Sequence, residues 1–152
     1  MRYAFAAFIG LSCTLLNYAE ARADKLKQIK VSFRTHDDDK DRDTHLDVTV
    51  FIGDEQCADG KDLGFNTTFG DRPPSVHEFE LRNLKPNLRR KDIQRIRTNI
   101  AIQANGNDHW IFDLELRFYF DENPNNPIVL FHRGCEMESR SSQRVEHNYF
   151  PR

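Results

Sequence analysis

The chain is poor in the residues that mark the commonest catalytic and metal-binding chemistries. Only three cysteines, two methionines and one tryptophan occur among 152 residues, and no CxxC pair is present. HExxH pairs, nucleophile elbows and phosphate-cradling glycine loops are missing too, so the zincin, α/β-hydrolase and P-loop chemistries have no motif here. Positive charge is not in excess either: 22 basic side chains stand against 24 acidic ones, for a formal net charge of −2. General nucleic-acid binding needs a net basic face and is not expected. No apolar run approaches the roughly 20 residues of a membrane-spanning helix. Neither an internal repeat nor a low-complexity linker is visible, so one globular unit is expected.

What the chain has instead is alternation. Trp110, Phe112, Leu114, Leu116, Phe118 and Phe120 fall on one face of a run whose other face carries Ile111, Asp113, Glu115, Arg117 and Tyr119. A period of two over eleven residues predicts a strand, because a helix would scatter these groups around its circumference. Behind it lies Ile96, Thr98, Ile100, Ile102 and Ala104, joined to it through Asn105-Gly106. Two such runs around a short Asn/Gly connection read as an antiparallel hairpin in the middle of a sandwich. Further strands are expected at Ile29–Phe33, Leu46–Ile52, His77–Leu81 and, short and last, Ile128–His132. His77 falls on an apolar face, where a partly buried, hydrogen-bonded imidazole is expected. Residues 53–75 read as a long connection with room for one short strand. The fold class is therefore all-β: a single antiparallel sandwich of about eight strands over residues 24–138. Residues 139–152 are polar, without periodicity, and read as a loose tail.

The first 23 residues read as a secretory signal. Met1-Arg2 is basic, Ala4 to Leu16 is mostly apolar, and Ala21-Arg22-Ala23 offers a small-x-small cleavage site. Lipidation at Cys13 is disfavoured by Gly10 three places before it. Export to an extracellular or periplasmic space follows, with a mature monomer of one domain. Cleavage leaves Cys57 and Cys135, a disulfide candidate in an oxidising compartment. Closing a loop of 78 residues would stabilise the fold by about 4 kcal/mol. The alternative is two buried thiols that never meet.

The least ordinary composition is Thr35-His36-Asp37-Asp38-Asp39-Lys40-Asp41-Arg42-Asp43-Thr44. Five aspartates in seven residues cannot all be desolvated, so the segment belongs at the surface. One reading is a calcium loop, since Ca²⁺ takes six to eight oxygen ligands and neutralises such crowding. It is not an EF-hand, because Arg42 stands in place of the obligatory glycine and Val48 in place of the closing glutamate. The other reading is a solvated turn partly neutralised by Lys40 and Arg42. A second charge cluster, of opposite sign, includes Arg89, Arg90 and Lys91. It is a candidate surface for acidic lipid head groups or a partner's carboxylates. Two adjacent acid–imidazole pairs, His36-Asp37 and Asp108-His109, would suit a small metal-dependent hydrolase if both loops shared one edge. Without any supporting motif, catalysis is not the expectation.

The order of these elements resembles the PLAT domain, the lipoxygenase-homology β-sandwich. The resemblance is carried by Ile29–Thr35, then Asp37-Asp38 and Thr44, then the strand from Leu46 to Gly53. Glu78-Phe79-Glu80-Leu81, the Ile96–Ile102 run and Asp108-His109-Trp110-Ile111-Phe112-Asp113 continue it. The glycine that usually precedes the family's threonine is absent, Asp43 standing there instead. The resemblance implies a non-catalytic module that docks onto membrane surfaces or proteins through edge loops, some members with calcium. It would place Asp37, Asp38 and Asp39 in the acidic turn, with Asp41 beside them, and Asn107 and Asp108 across from it as further ligands. A secreted interaction domain of inhibitor or adhesin type, with no metal, is the alternative.

Overall fold

The computed structural model describes residues 24–104, 106, 108–139 and 141–148. Asn107, one of the anticipated calcium ligands, lies outside the described residues, as do residues 1–23 and the last four residues. Eight strands follow in chain order: β1 (Leu26–Asp37), β2 (His45–Ile52), β3 (Glu55–Gly60), β4 (Val76–Glu80), β5 (Arg95–Gln103), β6 (His109–Phe120), β7 (Ile128–Glu138) and β8 (Ser142–Asn148). One 3₁₀ turn, Arg90–Asp92, precedes β5. The strands form two four-stranded antiparallel sheets, ordered β4-β1-β6-β7 and β3-β2-β5-β8. The sandwich expected from alternation is the observed architecture.

The alternation works because each sheet has one face to bury. Ile29, Val31 and Phe33 of β1 and Trp110, Phe112, Leu114, Leu116, Phe118 and Phe120 of β6 point inward from the first sheet. Leu46, Val48 and Val50 of β2 with Ile96, Ile100 and Ile102 of β5 meet them from the second. Each such side chain contributes about 1.5–3 kcal/mol by leaving water. At one end the interior is aromatic. Trp110 stacks on Phe112 at 3.9 Å between centroids, and Phe33 and Phe69 lie 5.4 Å and 5.6 Å from the indole. The indole N–H donates to Thr35 Oγ1 at 3.1 Å.

Several expectations are corrected. β5 and β6 are not a hairpin: they lie in different sheets, so the chain passes from one sheet to the other between Gln103 and His109. Each strand has a complete apolar face of its own, so the two can face one another as well as pair edge to edge. β7 does not stop at His132 but runs to Glu138 through a bulge, where Gly134 takes a φ of +66°. The segment read as a loose tail contains β8, whose backbone pairs with β5 from Arg95↔Asn148 to Ala101↔Ser142. It escaped the pattern because Val145 is its one buried apolar side chain, and backbone pairing carries no side-chain signal.

Cys57 and Cys135 are free, buried thiols. Cys57 lies in β3, and the backbone bridge between Asp59 and Arg82 ties that strand to the edge beside β4. Cys135 lies in β7, at the opposite edge of the other sheet. Three strand spacings of about 4.8 Å separate the two edges, about twice the Cα reach of a disulfide. Burial pushes both thiols up to about 12, with the Asp113 carboxylate adding to the effect at Cys135. At neutral pH both are protonated and unreactive.

Candidate functional site

One end of the sandwich gathers the β1–β2 loop (38–44), the segment after β3 (61–70), the start of β6 and the β7–β8 turn. The acidic loop and Asp108 do share this end. Thr44 donates its hydroxyl to Asp108 Oδ2 in a short hydrogen bond, and the Asp41 N–H reaches the same oxygen at 3.3 Å. The Asp108 N–H donates to Ser139 Oγ at 2.6 Å, and the Ser139 hydroxyl donates back to the Asp108 carbonyl at 3.2 Å. Burial holds the Asp108 carboxyl above its ordinary range, against the lowering pull of the Thr44 and Asp41 hydrogen bonds.

At the centre of the loop lies an ammonium group rather than converging carboxylates. Lys40 is 0% exposed. Its Nζ donates to the carbonyls of Asp41 (2.9 Å), Thr44 (3.1 Å), Thr67 (3.3 Å) and Gly64 (3.4 Å), and stands 4.7 Å from the centre of the Phe69 ring. The Phe69 N–H closes the junction onto the Lys40 carbonyl at 3.0 Å. Burial lowers the affinity of this amine for its proton, while Asp108, Asp41 and Asp43 raise it. A buried lysine is tolerated only when its charge is compensated, and here four carbonyls take its hydrogen bonds while nearby carboxylates supply countercharge.

The aspartates point the other way. Asp37, Asp38, Asp39, Asp41 and Asp43 are exposed. Asp38, at a φ of +48°, meets His109 Nδ1 at 2.5 Å, while His109 Nε2 meets Glu136 Oε1 at 3.0 Å. With a carboxylate on each ring nitrogen, only the imidazolium can donate to both. Asp38 first, then Glu136, raises the His109 pKa accordingly. Among the described residues no three His, Cys, Asp or Glu side chains converge to hold a metal ion. The anticipated set of Asp37, Asp38, Asp39, Asp41 and Asp108 is divided between solvent, His109 and Thr44.

The other expected pairings are also redistributed. His36 meets Asp113 rather than Asp37, at 2.7 Å. It is the extra residue of a bulge where β1 slips against β6 between Thr35 and Asp37. Asp113 also accepts the Gly134 N–H of the β7 bulge at 3.0 Å, so one carboxylate fastens two bulges. His77 is half-buried, as expected, and stacks on Phe69 at 3.9 Å, while its buried Nε2 has no hydrogen-bond partner. Of the basic cluster, Arg90 faces inward. Its guanidinium donates to Asp24 Oδ2 at 2.6 Å and the Asn126 carbonyl at 2.7 Å, over the Phe120 ring. The Arg89 N–H donates to Asp92 Oδ2 at 2.9 Å, leaving Lys91 as the exposed member. This cluster fastens the start of β1 at the end opposite the acidic loop, where Lys25 bridges Arg89.

Sequence reasoning missed the burial of Lys40 and the double role of Asp113. The signal for the first was a lysine in the middle of an aspartate run with Thr44 four residues on. For the second there was none beyond an acidic residue in the strongest strand. A polar cleft of about 550 Å³, lined by His45, Asp47, Asp62, Gln103, Ser141 and neighbouring residues, opens on the second sheet. Its polar side chains are already paired, His45 with Asp62 at 2.6 Å and Asp47 with Lys61 at 2.9 Å. No protein-family model matches the chain, and neither a curated protein nor a solved structure matches it significantly.

Proposed function

We propose that the protein is an exported, non-catalytic interaction module that engages a basic partner protein through the acidic rim, without a metal ion. The observation that carries this reading is the exposed aspartate row on a loop pinned from beneath by Lys40. The Lys40 contacts fix the backbone that carries the carboxylates, so a partner's arginines and lysines meet them without first ordering the loop. Charge complementarity of this kind raises association rates and selects partners more than it adds raw affinity. Glu136 and Glu138 of β7, both exposed, extend the same potential. The two-sheet architecture suits the docking role that the PLAT resemblance implies, and the leader-like residues 1–23 support export.

The competing reading is calcium-dependent docking onto anionic lipid head groups. It draws on the same resemblance and on the nearness of Asp108 to the loop. The test compares immobilised wild type with an Asp37→Asn/Asp39→Asn variant, in EDTA, for salt-sensitive retention of secreted proteins from the source cells. A protein held by wild type and released by the variant is the expected result. Calcium-dependent pelleting with phosphatidylserine vesicles, with nothing retained in EDTA, would overturn the proposal in favour of its rival.

A further inference from the structure

We infer that the loop end contains a built cation site of the primary-ammonium class, which Lys40 fills from within the chain. Two loops contribute carbonyls to it: Asp41 and Thr44 from one, Gly64 and Thr67 from the other. The Phe69 ring contributes a π face on a further side, and the Asp108 carboxylate lies close enough to supply countercharge. These contacts fit an ammonium better than a metal. Calcium takes six to eight oxygens at about 2.3–2.6 Å. Here four neutral carbonyls stand at hydrogen-bond distance, 2.9–3.4 Å, and an aromatic face takes a direction where a metal would need oxygen. Three N–H donors serve four acceptors, so one proton is shared between two carbonyls.

The ion that joins the two loops is thus covalently attached. It needs no metal, is never diluted away, and orders residues 38–44 and 61–70 as soon as they meet. This site is independent of which partner, if any, the outward aspartates bind. Removing the Lys40 side chain beyond Cβ leaves a channel shaped for a free alkylammonium of matching length.

The test is chemical rescue of Lys40→Ala. Its melting temperature is measured against n-propylammonium chloride, with tetramethylammonium chloride and calcium chloride at matched ionic strength. The expected result is a saturable rise with n-propylammonium alone, absent in wild type. Tetramethylammonium keeps the charge but has no N–H donor, so an equal response to it would overturn the inference, as would a larger response to calcium. The intact protein supplies a second readout that does not depend on the variant folding. In ¹⁵N-lysine NMR the Lys40 NH₃⁺ group is expected to exchange slowly with water and to show contacts to the Phe69 ring. Fast exchange would overturn the inference, as would calcium-induced shifts of the Thr44, Gly64 and Thr67 amides.

Discussion

Replacing Thr44 with valine tests how the loop end is held. The two side chains have nearly the same shape, so the substitution removes a hydroxyl from a fully buried position without opening a cavity. What is lost is the hydrogen bond to Asp108 Oδ2, leaving that oxygen with the Asp41 N–H at 3.3 Å. A hydrogen bond to a charged acceptor contributes about 1.5–3 kcal/mol, so a loss of about 2 kcal/mol is expected at pH 7. For a domain of this size that is about 8 °C in melting temperature. The pH dependence gives the sharper test. The folded-state pKa of Asp108 is raised, so the native state takes up this proton more readily than the unfolded chain. Wild type therefore gains stability from this group as pH falls through the raised pKa. Once the carboxyl is neutral, the missing hydroxyl is worth only about 1 kcal/mol. Urea denaturation of both proteins between pH 7 and pH 4 measures the gap. A gap of a few tenths of a kcal/mol at pH 7, or one that widens on acidification, would refute the reasoning.

His109→Gln removes the imidazolium clasp between Asp38 and Glu136. Because the folded pKa of His109 is raised, its contribution is complete below pH 6.5 and disappears as pH climbs through the folded value. Wild type should lose a small increment of melting temperature over that range that the variant lacks, as a pH series of thermal melts will reveal. Cys57 and Cys135, with thiols pushed up to about 12, should not react with Ellman's reagent until denaturant is added, and dithiothreitol should leave the melting temperature unchanged. Trp110 is the sole tryptophan and fully buried, so native emission should be blue-shifted. Trp110→Phe should cost about 3 kcal/mol through the smaller ring and the indole bond lost from Thr35, read by circular dichroism melts.

The class of fold was legible because both sheets are amphipathic, and a period of two survives in β1, β2, β5 and β6 whatever their partners. Partnership itself was not legible. β5 and β6 carry the same alternation whether they pair in one sheet or face each other across two, and nothing in Asn105-Gly106 decides between these. β8 was hidden because its place depends on hydrogen bonds to β5 rather than on apolar side chains. At the loop end, residue types placed Asp108 and the aspartate run as candidates for one site. The direction of each side chain was beyond reach: Lys40 and Asp41 are neighbours in sequence, yet one side chain is enclosed and the other is in water. That choice is set by Gly64, Thr67 and Phe69, more than twenty residues away.

The enclosure of Lys40 also has a kinetic meaning. Its cage closes contacts across 24 and 27 residues, and the Thr44–Asp108 bond spans 64, so the loop end cannot assemble until β6 has docked beside β1. Long-range closure of this kind comes late, since the chain loses its entropy before the contacts repay it. A protease that must seat a lysine side chain in its own pocket will find the Lys40–Asp41 bond only in molecules that have not finished. Pulses of a lysine-specific protease during refolding would therefore count unfinished chains, with cleavage at Lys40–Asp41 as the clock.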